Sequence, residues 1–320
     1  MNDPFAHHAS ALLPCPYCAQ QHIEDLPACP TSRQIILLDG KYRLKRLLGE
    51  GSFGLVWDAR NIDTQKEVAI KTLRAEVIDN PAVLARFSWE ATAAGRIHDP
   101  HVCDVLDLVK SSVHGPYIVL ERLSGQSLEA LMQQEGRLAP EQAVLLIRQA
   151  LVGLEAVHRA GIVHRDIKPE NIMIVTRPDQ GESAKVLDFG LAKLRDTQAG
   201  NTVTRAGAIV GTPYYMSPEQ MANAKNAVPQ SDMWSLAVVA YEAMTAHLPF
   251  EGETVAGLAI AVERGKYATL TSHVPTAPKA IDAWFAKAFA RETADRFTSA
   301  RQMGEELTQI VHPGIRGTMP

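Results

Sequence analysis

His164-Arg165-Asp166-Ile167-Lys168-Pro169-Glu170-Asn171 brings a carboxylate, an ammonium and an amide oxygen into one short stretch. A carboxylate such as Asp166 can orient an attacking hydroxyl and accept its proton. The Lys168 cation can offset charge developing on a transferred phosphoryl group. The Asn171 amide offers the oxygen ligand that a hard divalent ion takes, and Asp188, in Asp188-Phe189-Gly190, adds the carboxylate such ions prefer. Upstream, Gly49-Glu50-Gly51-Ser52-Phe53-Gly54-Leu55-Val56 is a glycine run whose backbone N–H groups can face an anion. A strand pattern, not a helix, follows Gly54, which disfavours a dinucleotide-binding turn. Val68-Ala69-Ile70-Lys71 places a lysine in an apolar strand, a costly position unless the ammonium is paired or bound to an anion. Glu90, on the helix that follows, is the expected partner; Glu76 is a rival that precedes Pro81.

These groups need a frame. Strand-like patterns cover 41–48, 55–59, 67–71, 102–109 and 117–123, with a helix over 81–96 that Pro81 suits at its first turn. Beyond Gly125 the spacing predicts helices over 127–134, 140–160, 232–246, 254–264, 278–289 and 299–310. Strands first and helices later give an α+β protein of two lobes: a small antiparallel sheet with one main helix, then a larger, mostly helical part.

Composition narrows the function classes. The 320 residues are 46% hydrophobic and 21% charged, as in soluble globular proteins. A net charge of −4 gives no basic footprint for nucleic acid and no polybasic membrane anchor. The start lacks a signal-peptide pattern, and the most apolar stretch, 233–246, is too short and too interrupted to span a bilayer. Four cysteines do not make a disulfide framework in a chain of this length, so a reducing cytoplasm is the expected compartment.

The glycine run, Lys71, the Asp166 loop, Asp188-Phe189-Gly190 and Gly211-Thr212-Pro213-Tyr214-Tyr215-Met216-Ser217-Pro218-Glu219 occur in one order. In that order they resemble the eukaryotic-like protein kinases over about 42–311, and the residues after Asp166 and around Thr212 look like the Ser/Thr branch, in its bacterial style. The resemblance implies a protein Ser/Thr kinase that uses ATP and Mg²⁺ and acts on Ser/Thr hydroxyls of protein substrates. Asp166 and Lys168 would be catalytic, Asn171 and Asp188 the magnesium ligands. The nucleotide would lie between the lobes, held by Gly49, Gly51, Gly54, Lys71 and Glu90. Its adenine would meet Val56, Ala69 and Met173 and the backbone of Glu121 and Leu123, with Leu120 as gatekeeper.

The same resemblance casts Arg165 and Lys193 as receptors for a phosphate on Thr202 or Thr204, Thr204 preferred, whereas Thr212 hydrogen-bonds near Asp166 and Lys168. Asp232 would brace the catalytic loop, and Arg296 would pair with Glu219. Ser217 replaces the usual Ala, a neutral change. Ala94 stands where the family has a bulkier residue, which would loosen the helix that carries Glu90. Two other readings stand beside this one. A pseudokinase scaffold would bind nucleotide or partners without transfer, yet Lys71, Asp166, Asn171 and Asp188 are all present. A small-molecule phosphotransferase is disfavoured by the complete segment from Asp188 to Glu219.

Residues 1–37 read as a Cys/His/Pro-rich extension with at most a small knuckle, followed by a first lobe and hinge over 42–123, a second lobe over 124–311 and a loose tail over 312–320. Cys15-Pro16-Tyr17-Cys18 is one half of a zinc site; Cys29-Pro30 begins a second half, but Ser32 stands where its last ligand belongs. His22 is the expected fourth ligand, ahead of His7 and His8. A structural zinc, an unmetallated remnant and a redox CxxC all fit this pattern.

Overall fold

A computed structural model of the chain describes residues 12–51, 54–177, 181–188 and 212–311, the side chains of Arg177 and Thr212 excepted. Ser52-Phe53, Phe189-Gly190, Lys193, Thr202, Thr204, Gly211 and the tail 312–320 therefore lie outside the described residues, as do His7 and His8. The chain divides into two units: Met1–Gly95 with Asp104–Leu123, and Arg96–Cys103 with Ser124–Pro320.

The first unit opens with a hairpin of β1 (Leu12–Pro14) and β2 (Gln21–Ile23), followed by β3 (Leu37–Leu38), β4 (Tyr42–Glu50), β5 (Gly54–Asn61) and β6 (Glu67–Leu73). Helix α1 (Pro81–Ala94), β7 (Val105–Ser111) and β8 (Gly115–Glu121) complete it. The strands form a six-stranded sheet in the order β3-β4-β5-β6-β8-β7, antiparallel at each pairing. Leu44, Trp57, Ala59, Val68, Ile70 and Val119 pack together on it as a core. Helix α1 starts where Asn80 Oδ1 accepts the N–H groups of Ala82 and Val83, at 3.0 and 3.4 Å. Its buried Val83, Phe87, Ala91 and Ala94 recur at helical spacing, so one face is apolar.

Two elements differ from the sequence expectation. The apolar run 102–109 is split: Val102 bridges in parallel to Val186 of the second unit, and β7 begins only at Val105. The described residues 12–38 also hold strands. β1 pairs with β2, and β3 adds an edge strand to β4, so a boundary at 37 cuts through a strand pair.

The second unit holds β9 (Gly125–Ser127), α2 (Leu128–Glu135), α3 (Pro140–Arg159), β10 (Ile172–Arg177) and β11 (Gly181–Val186). After it come α4 (Pro218–Ala222), α5 (Pro229–Thr245), α6 (Val255–Arg264), α7 (Leu270–His273), α8 (Ala280–Ala288) and α9 (Ala300–Val311). The small sheet β11-β10-β9 is antiparallel. α5 is apolar around most of its circumference and runs through the core, packed by α3 and by an aromatic group of Trp234, Phe250, Phe285 and Phe289. It begins at Pro229, three residues ahead of the expected start, because proline is pre-set for the first helical position. Gly153 lets α3 lie against residue 101: a Cβ there would come 2.4 Å from the His101 carbonyl oxygen. No helix among the described residues is long and apolar enough to cross a membrane.

Candidate functional site

The Asp166 loop is held from below by α5. Asp232, 1% exposed, accepts three hydrogen bonds: Oδ2 from the His164 N–H at 2.7 Å and from His158 Nε2 at 2.8 Å, Oδ1 from the Arg165 N–H at 2.7 Å. Arg165 has φ +68°, a left-handed conformation that a bulky residue keeps only where its surroundings impose it. The Asp232 carboxylate is that constraint, and Gln220 Nε2 adds a bond to the Arg165 carbonyl at 3.2 Å.

Within the loop, Asn171 Nδ2 donates to the Asp166 carbonyl at 2.7 Å and to Asp166 Oδ2 at 3.1 Å. Its NH₂ group is thereby committed, and the amide oxygen is the atom left for a metal. Lys168 Nζ stands 3.5 Å from the same Oδ2. Asp166 Oδ1 is buried and accepts no hydrogen bond from any described residue. Asp188 reaches this group through backbone: the Leu187 N–H donates to the Asn171 carbonyl at 2.9 Å, and the His164 imidazole meets the Leu187 carbonyl at 2.6 Å. Asp188 itself is exposed, with φ +47°. The second unit thus brings Asp166, Lys168, Asn171 and Asp188 together. Met173, on β10, is half-buried opposite Ser127 and Lys185.

The first unit positions its own share. Lys71, on β6, sits opposite Val56 of β5 and Ile118 of β8, and Ala69 lies opposite Leu120. The glycine turn closes with the Gly51 N–H on the Gly54 carbonyl at 2.8 Å. At Gly54 a Cβ would come 2.3 Å from the Thr72 carbonyl oxygen, so only glycine lets the turn lie on β6. Glu90 is buried on α1, and Arg86 Nε donates to its Oε1 at 3.0 Å, one turn away. Glu121 donates its N–H to the Asp104 carbonyl at 3.0 Å, and Leu123 closes the unit.

Comparison with known proteins settles the family. A model of the protein kinase domain matches residues 42–307. The chain belongs to the protein kinase domain family. The serine/threonine-protein kinase pkn3 of Myxococcus xanthus is 37% identical over 278 residues, covering 84% of this chain and 50% of that protein. PknL of Mycobacterium tuberculosis is 36% identical over 281 residues, covering 86% of this chain and 66% of its own length. The chain spans about half to two thirds of the length of these curated relatives. The crystal structure of Rad53 1-466 in complex with AMP-PNP shares the fold, with a TM-score of 0.66, 24% identity, and coverage of 83% of this chain and 65% of that one.

Two residues that hold the Asp166 loop of this kinase domain carry no motif of their own. His158, at the end of α3, and Gln220, in α4, bond to Asp232 and to the Arg165 carbonyl. A polar side chain on an otherwise apolar helix face was the sole trace of His158 in the sequence.

Ahead of the kinase match lies a second cluster. The ligand atoms of Cys15, Cys18, His22 and Cys29 all fall within 4.8 Å of one another. His22 Nε2 is 3.2 Å from Cys18 Sγ and 3.5 Å from Cys29 Sγ. Zinc–ligand bonds of 2.0–2.3 Å put tetrahedral edges at about 3.5–3.8 Å, so the four atoms are close to a zinc cage. The two halves repeat one backbone motif. The Cys15 N–H donates to the Gln20 carbonyl and the Cys29 N–H to the Gln34 carbonyl, both at 2.8 Å, and Ala19 and Arg33 have φ near +60°. Ser32 occupies the place of Cys18 in the second turn and gives its N–H to Cys29 Sγ at 3.3 Å. Burial pushes the Cys29 thiol up, but hydrogen bonds from Ser32, His22 and Cys18 outweigh it and bring the pKa to about 5. Cys15, Cys18 and Cys29 form no disulfide.

Proposed function

We propose that this chain is a protein serine/threonine kinase that transfers the γ-phosphoryl group of ATP to Ser/Thr hydroxyls of protein substrates. The observation that carries the reading is the arrangement around Asp166: one carboxylate oxygen pinned by Asn171 and Lys168, the other without a hydrogen-bond donor among the described residues. That unpartnered acceptor, buried in this structure, is the atom to which an incoming hydroxyl would bond. Its oxygen forms the new bond to phosphorus, the bond from phosphorus to the β-phosphate oxygen breaks, and Asp166 takes the hydroxyl proton. Lys168 offsets charge on the moving phosphoryl group. Asn171 and Asp188 supply hard oxygen ligands that fit Mg²⁺, which when bound would neutralise charge on the phosphates. Lys71, with Glu90 as the partner the family resemblance implies, would meet the α- and β-phosphates, and the glycine turn would lie over them. Val56, Ala69, Met173 and the backbone of Glu121 and Leu123 would hold adenine.

The Arg165 Nε is buried without a hydrogen-bond acceptor among the described residues, which supports its role, with Lys193, as receptor for a phosphate on Thr202 or Thr204. The test is incubation with MgATP and a generic protein acceptor, wild type beside Asp188→Asn. Label on Ser and Thr from wild type alone supports the proposal, and phosphopeptide mass spectrometry of the same sample should find Thr202 or Thr204 modified. Nucleotide binding without transfer by either protein would refute it and leave a scaffold.

The sulfur-rich cage before the kinase match suits a structural zinc, held by Cys15, Cys18, Cys29 and His22. Metal analysis of the purified chain is expected to give about one zinc per molecule, and Cys29→Ser to lose it. Wild-type protein free of metal would return the cluster to an unmetallated remnant. Cysteines this close together without a disulfide suit a reducing compartment.

A further inference from the structure

Arg43 is an anomaly of the first unit. It lies on β4 opposite Leu37, is 0% exposed, and none of its three guanidinium nitrogens has a hydrogen-bond partner among the described residues. A buried cation left so is tolerated only where an anion stands beside it. The acidic side chains whose charge would reach this guanidinium are those of Cys15, Cys29 and Glu24. The backbone explains the proximity. The next residue, Leu44, donates its N–H to the Ile36 carbonyl at 2.8 Å, and Ile36 packs against Cys15 and Cys29 in one buried cluster. Glu24 already has other partners: Gln65 Nε2 at 3.3 and 3.4 Å, and Arg60 at 3.9 Å.

A zinc ion held by three thiolates and a neutral imidazole carries a net charge of −1, and two of its ligands, Cys15 and Cys29, are buried. Resting on the zinc reading above, we propose that Arg43 is the counter-charge of this metal centre, and that occupancy of the cluster thereby stabilises β4 and the kinase sheet to which it belongs. The sulfurs of such a centre remain hydrogen-bond acceptors, and outer-shell partners of metal ligands commonly tune affinity. Two further contacts fasten the cluster to the same sheet. The Tyr17 ring lies 5.6 Å from that of Trp57 on β5, and Glu24 reaches Gln65 at the β5–β6 turn. The glycine turn and Lys71 are carried on strands of this sheet. The cluster is therefore a part of the phosphate-binding unit's framework, and metal loading sets how firmly that framework holds.

The test uses the full chain as wild type, Arg43→Met, Arg43→Lys, Glu24→Gln and Cys15→Ser, with zinc content, competition against a chromophoric chelator, cobalt(II) spectra and melting before and after chelation. Absence of zinc from wild type, or its full retention in Cys15→Ser, refutes the metal site itself. Given a metal site, Arg43→Met should keep the cobalt spectrum, and so the ligand set, while zinc affinity falls about 10–100-fold. Arg43→Lys should keep affinity within a few-fold, since it preserves the charge, and Glu24→Gln should leave it unchanged. Chelation should lower the melting temperature of wild type more than that of Arg43→Met. Should Arg43→Met not fold, Arg43→Gln replaces it in each comparison. Affinity and chelation shifts equal to those of wild type in the charge-removing variant would overturn the role of Arg43 while leaving the metal site standing. A large loss in Glu24→Gln alone would assign Arg43 to Glu24 and overturn it as well.

Discussion

Asp166→Asn is expected to slow phosphoryl transfer about 10²–10⁴-fold, the range that a positioned general base supplies. That is about 3–5 kcal/mol of barrier. The substitution keeps the shape of the loop. Asn171 Nδ2 bonds to the Asp166 backbone carbonyl at 2.7 Å, which no side-chain change removes, and the amide oxygen of the introduced asparagine can still accept the second bond. Asp232 goes on holding the backbone of His164 and Arg165. What disappears is the proton acceptor at Oδ1, the atom that has no donor among the described residues. The loss should therefore fall on kcat, with KM for ATP and the melting temperature close to wild type. A rate within a few-fold of wild type would show that another group takes the proton.

Glu219→Ala should be the most destabilising single change in the second unit, by about 3–5 kcal/mol, because it leaves a buried cation without its partner. The Arg296 side chain is 1% exposed. It meets both oxygens of Glu219 at 2.9 Å, and the carbonyls of Ala290, Arg291 and Gln230 accept its remaining donors at 2.7, 2.9 and 3.3 Å. The guanidinium lies 4.8 Å from the Trp234 ring, at the centre of the aromatic core, and Ser231 Oγ donates to Glu219 Oε1 at 2.6 Å. Chemical denaturation of wild type and variant measures the difference, and a loss under about 1 kcal/mol would place the pair among weak surface bridges.

The same pair makes stability depend on pH. Burial alone would push the Glu219 carboxyl up, but the bonds from Arg296 and Ser231 outweigh it and hold its pKa below the usual carboxylate value. A carboxyl depressed in the folded state stabilises the fold above its unfolded pKa, near about 4.3, and that stability fades as pH falls through the folded pKa. Wild type should accordingly lose more stability than Glu219→Gln as the pH drops below about 4.

Much of the site was legible in the order and spacing of residues, for a local reason. Asp166, Lys168 and Asn171 lie within one turn of chain, so residue type and spacing already place their polar atoms side by side. The strands that bear the glycine turn and Lys71 also announce themselves, since alternation and a glycine run are short-range signals. The division of 102–109 between two units was not legible, because an apolar run has the same appearance whichever sheet or helix it packs on.

By itself, then, the sequence determined which carboxylate, ammonium and amide stand together, and in what order along the chain. Family resemblance, not spacing, paired Glu219 with Arg296, seventy-seven residues apart. Only the tertiary structure decided that His22 faces both Cys18 and Cys29. It alone buried Arg43 beside them. Contacts of that kind depend on how β1, β2 and β4 pack, and packing is a property of the assembled core that no local pattern of residues encodes.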